Sequence, residues 1–169
     1  MGEVSDFDCN ALLDCRTWPD PMIPAVLKRL DQPEIWLALQ GFLVAFAWEM
    51  FQMPFYDMGQ LSSWETTRSC AIASFGDAGI MVFSYTLGSL IGSDRHWINQ
   101  QERASLAVYL LCGLVVTVAF EALALRSNWG WAYSQLMPTI AGIGLVPVAM
   151  WIIVPMAALG FAKRLSTTT

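Results

Sequence analysis

Four mainly apolar stretches alternate with short polar ones along this chain, from Ile35 to Phe55, Ser69 to Ile91, Ala104 to Leu125 and Gly144 to Ala162. An α-helix needs ~20 apolar residues to cross ~30 Å of hydrocarbon, and each stretch is close to that length. The pattern predicts an all-α, polytopic membrane protein, a bundle of four transmembrane helices. The first span opens on a start signal. Asp31 can cap it, Pro33 suits the first turn, and Glu34 follows Asp31 by three residues, as in a capping box. The fourth carries Pro147 and Pro155. A membrane helix tolerates proline because neighbours satisfy the freed carbonyls, so a kink is expected there.

The polar segments assign a direction. Arg16, Lys28 and Arg29 precede the first span, Arg95 and Arg103 separate the second from the third, and Lys163 and Arg164 follow the fourth. Only Arg68 and Arg126 fall on the other side. Basic residues in short flanks stay in the cytoplasm, so both termini are expected there. Residues 1–32 then form a cytoplasmic acidic tail, in which Ile23 to Leu30 could lie as a short interfacial helix. Residues 33–164 form the transmembrane domain, and 165–169 a loose polar end. Trp64, Trp129, Trp131 and Tyr133 fall in the two outer loops and Trp36 and Trp97 near the inner boundary, which reads as two aromatic belts.

Composition narrows the class. With 56% hydrophobic and 14% charged residues, and a mean hydropathy of +0.48, the chain lacks the polar groups to cover a soluble surface. The net charge of -5 reflects acids in the tail, among them Asp6, Asp8, Asp14 and Asp20, and no basic stripe suits nucleic acid. The first thirty residues lack a secretory signal's apolar stretch. The four cysteines form no Cys-x-x-Cys pair, so neither zinc nor a redox dithiol is suggested.

Three acids inside the spans carry the chemistry. Counted from the predicted helix ends at 1.5 Å per residue, Glu49, Asp77 and Glu121 lie ~9, ~12 and ~8 Å deep, in one layer of the outer leaflet. A carboxylate at mid-bilayer costs ~2.5–3.5 kcal/mol on insertion scales, so such groups face the bundle interior and find partners. Gln52 and Met53 share the face of Glu49, and Thr117 that of Glu121. Cys70, Ser74, Asp77 and Ser84 form a polar stripe on the second span, and Ser84, Gly88 and Gly92 a small-residue series that lets another helix approach closely. The acids are either hydrogen-bonded glue within the bundle or the catalytic groups of a site, with Gln52, Trp129, Trp131 and Tyr133 as ligand-binding residues. Three carboxylates without a histidine make a poor transition-metal site, and Met50, Met53 and Met58 read as packing, so no metal or cofactor is expected. No serine or cysteine is paired with a base as a nucleophile, while acid–base work on a lipid-dissolved substrate stays open.

Trp48, Glu49, Gln52, Pro54 and Tyr56, then Gly76 and Asp77, then Trp131, Tyr133, Met137 and Pro138 resemble a family of bacterial four-span integral membrane proteins, over most of the chain. That likeness implies a topology and a multi-pass place in the bacterial cytoplasmic (inner) membrane, without an activity. Glu49 with the FQMPFY that follows Met50 is similar to a short stretch of the EXPERA group (sigma-2 receptor and emopamil-binding), although the glutamate-to-glutamine spacing is one residue shorter here and the stretch lies on the first span rather than the second. The W-x-Y of Trp131 and Tyr133, with Pro147 and Pro155, is similar to lycopene-cyclase-type membrane domains, but Val148 and Ala149 follow Pro147 where those domains carry paired glutamates. Both comparisons imply isoprenoid or sterol-like ligands handled by buried acids. The expectations are therefore an accessory subunit or assembly factor of a membrane complex or a lipid-binding protein; alternatively a membrane enzyme using Glu49, Asp77 and Glu121; or a proton or cation pathway. The expected partners are membrane lipids and other membrane subunits.

Overall fold

The computed structural model describes residues 32–57, 59–100, 102–124, 126 and 132–166. The chain divides into Met1–Leu30 and Asp31–Thr169, and the second unit is described here. The interfacial helix and the Asp31 cap expected from the sequence lie outside the described residues.

Four helices are long and apolar enough to cross a membrane. They are α1 (Pro33–Gln52), α2 (Ser63–Gly92), α4 (Arg103–Ala124) and α5 (Leu145–Ser166), with a single-turn α3 (Trp97–Gln100) between α2 and α4. Helix α1 packs on α2 and α5, and α4 packs on the same two, so the four surround a common axis. Large apolar residues such as Phe75, Leu111, Val115 and Ile152 stay exposed on the outer faces. In water that surface would be a liability; in hydrocarbon it is the expected boundary.

Local chemistry sets the helix ends. Gln32, in extended conformation, occupies the cap position of α1 without a side-chain cap, and Pro33 follows it. The expected capping role of Glu34 is thus corrected: its carboxylate binds Arg95 Nε at 2.7 Å and ties α1 to the loop after α2. Pro54 cannot continue the α-helical ladder, and α1 ends in one 3-10 turn, Met53–Phe55. Helix α2 begins six residues earlier than hydrophobicity predicts. Ser62 and Glu65 form a reciprocal capping box there, Glu65 N–H to Ser62 Oγ at 3.3 Å and Ser62 N–H to Glu65 Oε2 at 2.9 Å. Trp64 therefore sits on the first turn of α2 rather than in a loop. At its other end Ser93, with φ of 54°, stops α2 and turns the chain back.

That reversal corrects the reading of Trp97 as a belt residue. Trp97 is 2% exposed and lies between two rings, with centroids 4.8 Å from Tyr85 and 6.1 Å from Tyr109. Such pairs add about 0.5–1.5 kcal/mol each beyond area burial. At the same end α2 and α4 pack closely. Ser105 Oγ donates to Gly88 O at 2.9 Å, and a Cβ on Gly88 would sit 2.9 Å from the Ser105 carbonyl oxygen. Side chains on Gly88 or Gly92 would collide with α4, so the small-residue series does what its spacing predicts.

The opposite end is held by two short ribbons. Strand β1 (Tyr56–Asp57) pairs antiparallel with β2 (Ala132–Tyr133), Tyr56 facing Tyr133. Strands β3 (Thr139–Ile140) and β4 (Ile143–Gly144) form a tight hairpin whose two turn residues, Ala141 and Gly142, both have positive φ, as a two-residue turn of this twist requires.

Candidate functional site

The end of the bundle that carries these ribbons encloses a cavity of about 410 Å³, within the ~300–1,000 Å³ of small-molecule sites. Glu49, Asp77 and Glu121 all line it, with Gln52 at the end of α1, Met53 and Tyr56 just beyond it, Thr117 and Phe120 on α4, and Pro147, Met150 and Trp151 on α5. The three acids that the sequence places in one layer are thus brought to one chamber. Their depths differ from the count in one respect. Because α2 starts at Ser63, Asp77 lies near the middle of a thirty-residue helix, ~21 Å from its start.

Each acid has different surroundings. Gln52 is 4% exposed and bridges: its Nε2 donates to Glu49 Oε1 at 2.8 Å, while its Oε1 accepts from Trp48 Nε1 at 3.0 Å. One turn of helix thus orients Glu49. Glu121 is held by two phenols. Tyr56 donates to its Oε1 at 3.2 Å and Tyr133 to its Oε2 at 2.5 Å, and the Tyr133 hydroxyl in turn accepts from Gly144 N–H at 2.9 Å. Register explains the arrangement, since directly opposed residues of an antiparallel pair present their side chains on one face. Ser134 pins the ribbon by donating Oγ to Pro54 O at 2.9 Å and its N–H to Phe55 O at 3.0 Å. Burial and the Glu121 carboxylate push the Tyr133 phenol up to about 12, and Tyr56 moves the same way for the same causes. Both phenols therefore stay protonated donors across the physiological range.

Asp77 is the exception. Its Oδ2 is shut off from solvent and has no hydrogen-bond partner among the described residues. A buried polar atom without a partner costs roughly 1–3 kcal/mol; of the four such atoms among the described residues, Asp77 Oδ2 alone belongs to a residue that lines the chamber. No Lys, Arg or His lines the chamber among the described residues. Carboxyl groups in an apolar enclosure are neutralised by a proton or by a cation, and the described residues of this chamber supply no cation.

The other expected site residues divide. Gln52 lines the chamber, Tyr133 binds Glu121 from the ribbon, and Trp129 and Trp131 lie outside the described residues. In the α2 stripe, Cys70 and Asp77 face the chamber, Ser74 bonds back to Cys70 O at 2.6 Å, and Ser84 is buried elsewhere. No group of three His, Cys, Asp or Glu among the described residues could hold a metal ion. Sequence reasoning gave Tyr56 no role in the site; its partner is 65 residues away, and the short strand that aims it has no period to read. No family model matches the chain, and no curated protein or solved structure matches it either.

Proposed function

We propose that this protein binds an amphiphile whose cationic, hydrogen-bond-donating head enters the acid-lined chamber while its apolar part meets Met150, Trp151 and Phe120. The observation that carries the reading is the buried, unpartnered Asp77 Oδ2 in a chamber with three carboxyl groups and no base among its described lining residues. Each Glu121 oxygen already accepts from a phenol, so Glu121 serves mainly to shape the wall, leaving Asp77 and Glu49 to meet the ligand. Membrane lipids and their single-chain relatives are the natural source of such molecules. The basic-residue bias and the four-span likeness support a bacterial cytoplasmic membrane location, with the chamber end facing outward.

Calorimetric titration of the protein in lipid nanodiscs tests this with a long-chain primary alkylamine against the fatty acid of equal chain length. The amine should bind and the acid should not, and Asp77→Asn should weaken the amine at least tenfold, about 1.4 kcal/mol. Equal binding of amine and acid, unaltered in Asp77→Asn, would falsify the reading. A second reading is supported by Glu49 and Asp77 lining one chamber from different helices: a single ligand could touch both, as acid–base catalysis on a lipid requires. Lipid extracts of a deletion strain would then accumulate a precursor, and an unchanged lipid profile argues for binding alone.

A further inference from the structure

The chamber is not walled on all sides by buried residues. Ala73 and Gly76 on α2 and Phe120 on α4 line it and are also exposed on the outer surface of the bundle. A residue that does both marks an opening, and these three belong to neighbouring helices. The opening therefore runs between α2 and α4. The same two helices are closely packed at their other end, where Gly88 and Gly92 leave no room for a side chain. Toward the chamber the contact is looser at Gly76, where an added Cβ would meet nothing within 4 Å.

The depth of this opening decides what it faces. Gly76 is thirteen residues into α2, ~20 Å from its start and close to its midpoint. A gap at the middle of a membrane-spanning helix faces acyl chains rather than water. Its floor is small and apolar, Ala73 and Gly76, and exposed Ile72 and Phe75 continue the apolar surface along α2.

We infer that the chamber is loaded sideways from the bilayer, through the gap between α2 and α4 over Ala73 and Gly76, by a single-chain amphiphile. Its head reaches Asp77 and Glu49, and its chain lies out through the gap. This rests on the amphiphile-binding reading above and adds to it the route and the single chain. Phe120, half in the chamber and half in lipid, packs on the chain where it leaves. A floor made by the two small residues Ala73 and Gly76 suits one chain.

The route can be tested by narrowing it. In lipid nanodiscs, a long-chain primary alkylamine brominated on its chain should quench the fluorescence of Trp151, which lines the chamber, and stopped flow should follow its arrival and its displacement by unlabelled amine. Gly76→Leu should slow both rates at least tenfold while changing the dissociation constant far less, because a narrowed passage obstructs both directions. Gly79→Leu makes the same change one turn away on the same exposed face, outside the chamber lining, and a Cβ there also meets open space. It should leave both rates within twofold of the unaltered protein. Binding that persists with unchanged rates in Gly76→Leu overturns the lateral route and leaves the binding reading standing, as does equal slowing in both variants. Absence of amine binding by the unaltered protein overturns the binding reading and the route together. A two-chain amine that binds as tightly as the single-chain one overturns the single-chain assignment.

Discussion

Gly113 on α4 is buried and faces the six-membered ring of Trp151 on α5, which is 1% exposed. A Cβ built on Gly113 would overlap Cζ3 and Cε3 of that ring and stand 3.1 Å from Cη2. On an open helix face, Gly→Ala stabilises by about 1 kcal/mol through helix propensity. Here the gain is opposed by a collision with a rigid ring that has no flexible end to swing aside. Overpacking of this kind costs typically 1–3 kcal/mol, and an overlap with two ring atoms belongs at the upper limit. Gly113→Ala should therefore destabilise the bundle by about 2 kcal/mol, a roughly thirtyfold rise in the unfolded fraction. Gly160→Ala is the matched control. That glycine is exposed in α5, nothing lies within 4 Å of its added Cβ, and the change should be neutral or stabilising by up to about 1 kcal/mol. Equilibrium unfolding in mixed micelles with increasing SDS measures both. If Gly113→Ala proves as stable as the unaltered protein, the α4–α5 contact is looser than described and the reasoning fails. Because Trp151 lines the chamber, its displacement should also weaken alkylamine binding, a readout that Gly160→Ala should leave unmoved.

Three further outcomes follow from the same geometry. Tyr133→Phe removes a phenol donor from Glu121 and should cost about 1.5–3 kcal/mol; in a cycle with Tyr56→Phe the losses should be non-additive, since both donors serve one carboxylate. The Tyr133 phenol titrates near 10 in an unfolded chain and about 12 in the folded one. Its stabilisation is therefore complete below pH about 10 and is lost as pH rises through 12, so the thermal midpoint should fall in that window, and less steeply in Tyr133→Phe. Arg95 is 59% exposed, so Arg95→Gln should cost no more than about 1 kcal/mol in the same SDS titration despite the short contact with Glu34; a larger loss would mean that the pair is shielded from solvent.

The spans were legible because their apolar length is a property of local sequence. The third needed a shift of one residue at each end, while the second was cut short because Ser63, Glu65 and Arg68 lower its hydrophobicity. Yet Ser62-x-x-Glu65 was present as a capping signature, and read as a boundary it places the start of α2 correctly. Helical rise is constant, so counting gives depth only where the span end is right: Glu49, Asp77 and Glu121 do line one chamber, yet Asp77 lies ~21 Å from the start of α2 rather than ~12 Å. The place of Trp97 was not legible. An aromatic near a span end suits an interfacial belt, and only the left-handed turn at Ser93 folds it back onto Tyr85. The Tyr56–Tyr133 pairing was equally hidden, because a two-residue strand carries no period and its partner comes from a distant loop.

These features assign the two ends of the bundle different work. Gly88 and Gly92 let α2 and α4 meet backbone to side chain at one end, the Tyr85–Trp97–Tyr109 stack joins the same two helices there, and the exposed Glu34–Arg95 pair brings in the start of α1. At the other end α1, α2, α4 and α5 all contribute lining to the chamber, with Glu49, Asp77, Thr117, Phe120, Glu121 and Trp151 among its walls. Helices in lipid associate through close packing and interhelical hydrogen bonds, so where a chamber interrupts the packing, directional bonds at its rim help to hold it. The Tyr56–Glu121–Tyr133–Gly144 chain and the Ser134 contacts to Pro54 and Phe55 supply them, joining the end of α1, the end of α4 and the start of α5. Among the described residues, helix α2 contributes no hydrogen bond to that rim, although it carries both Asp77 and the floor of the gap. Because the unpartnered carboxyl of Asp77 stands on the one helix without a bond to that rim, α2 can move away from α4 without breaking the bonds that join the other three, which would widen the gap proposed as the lateral route.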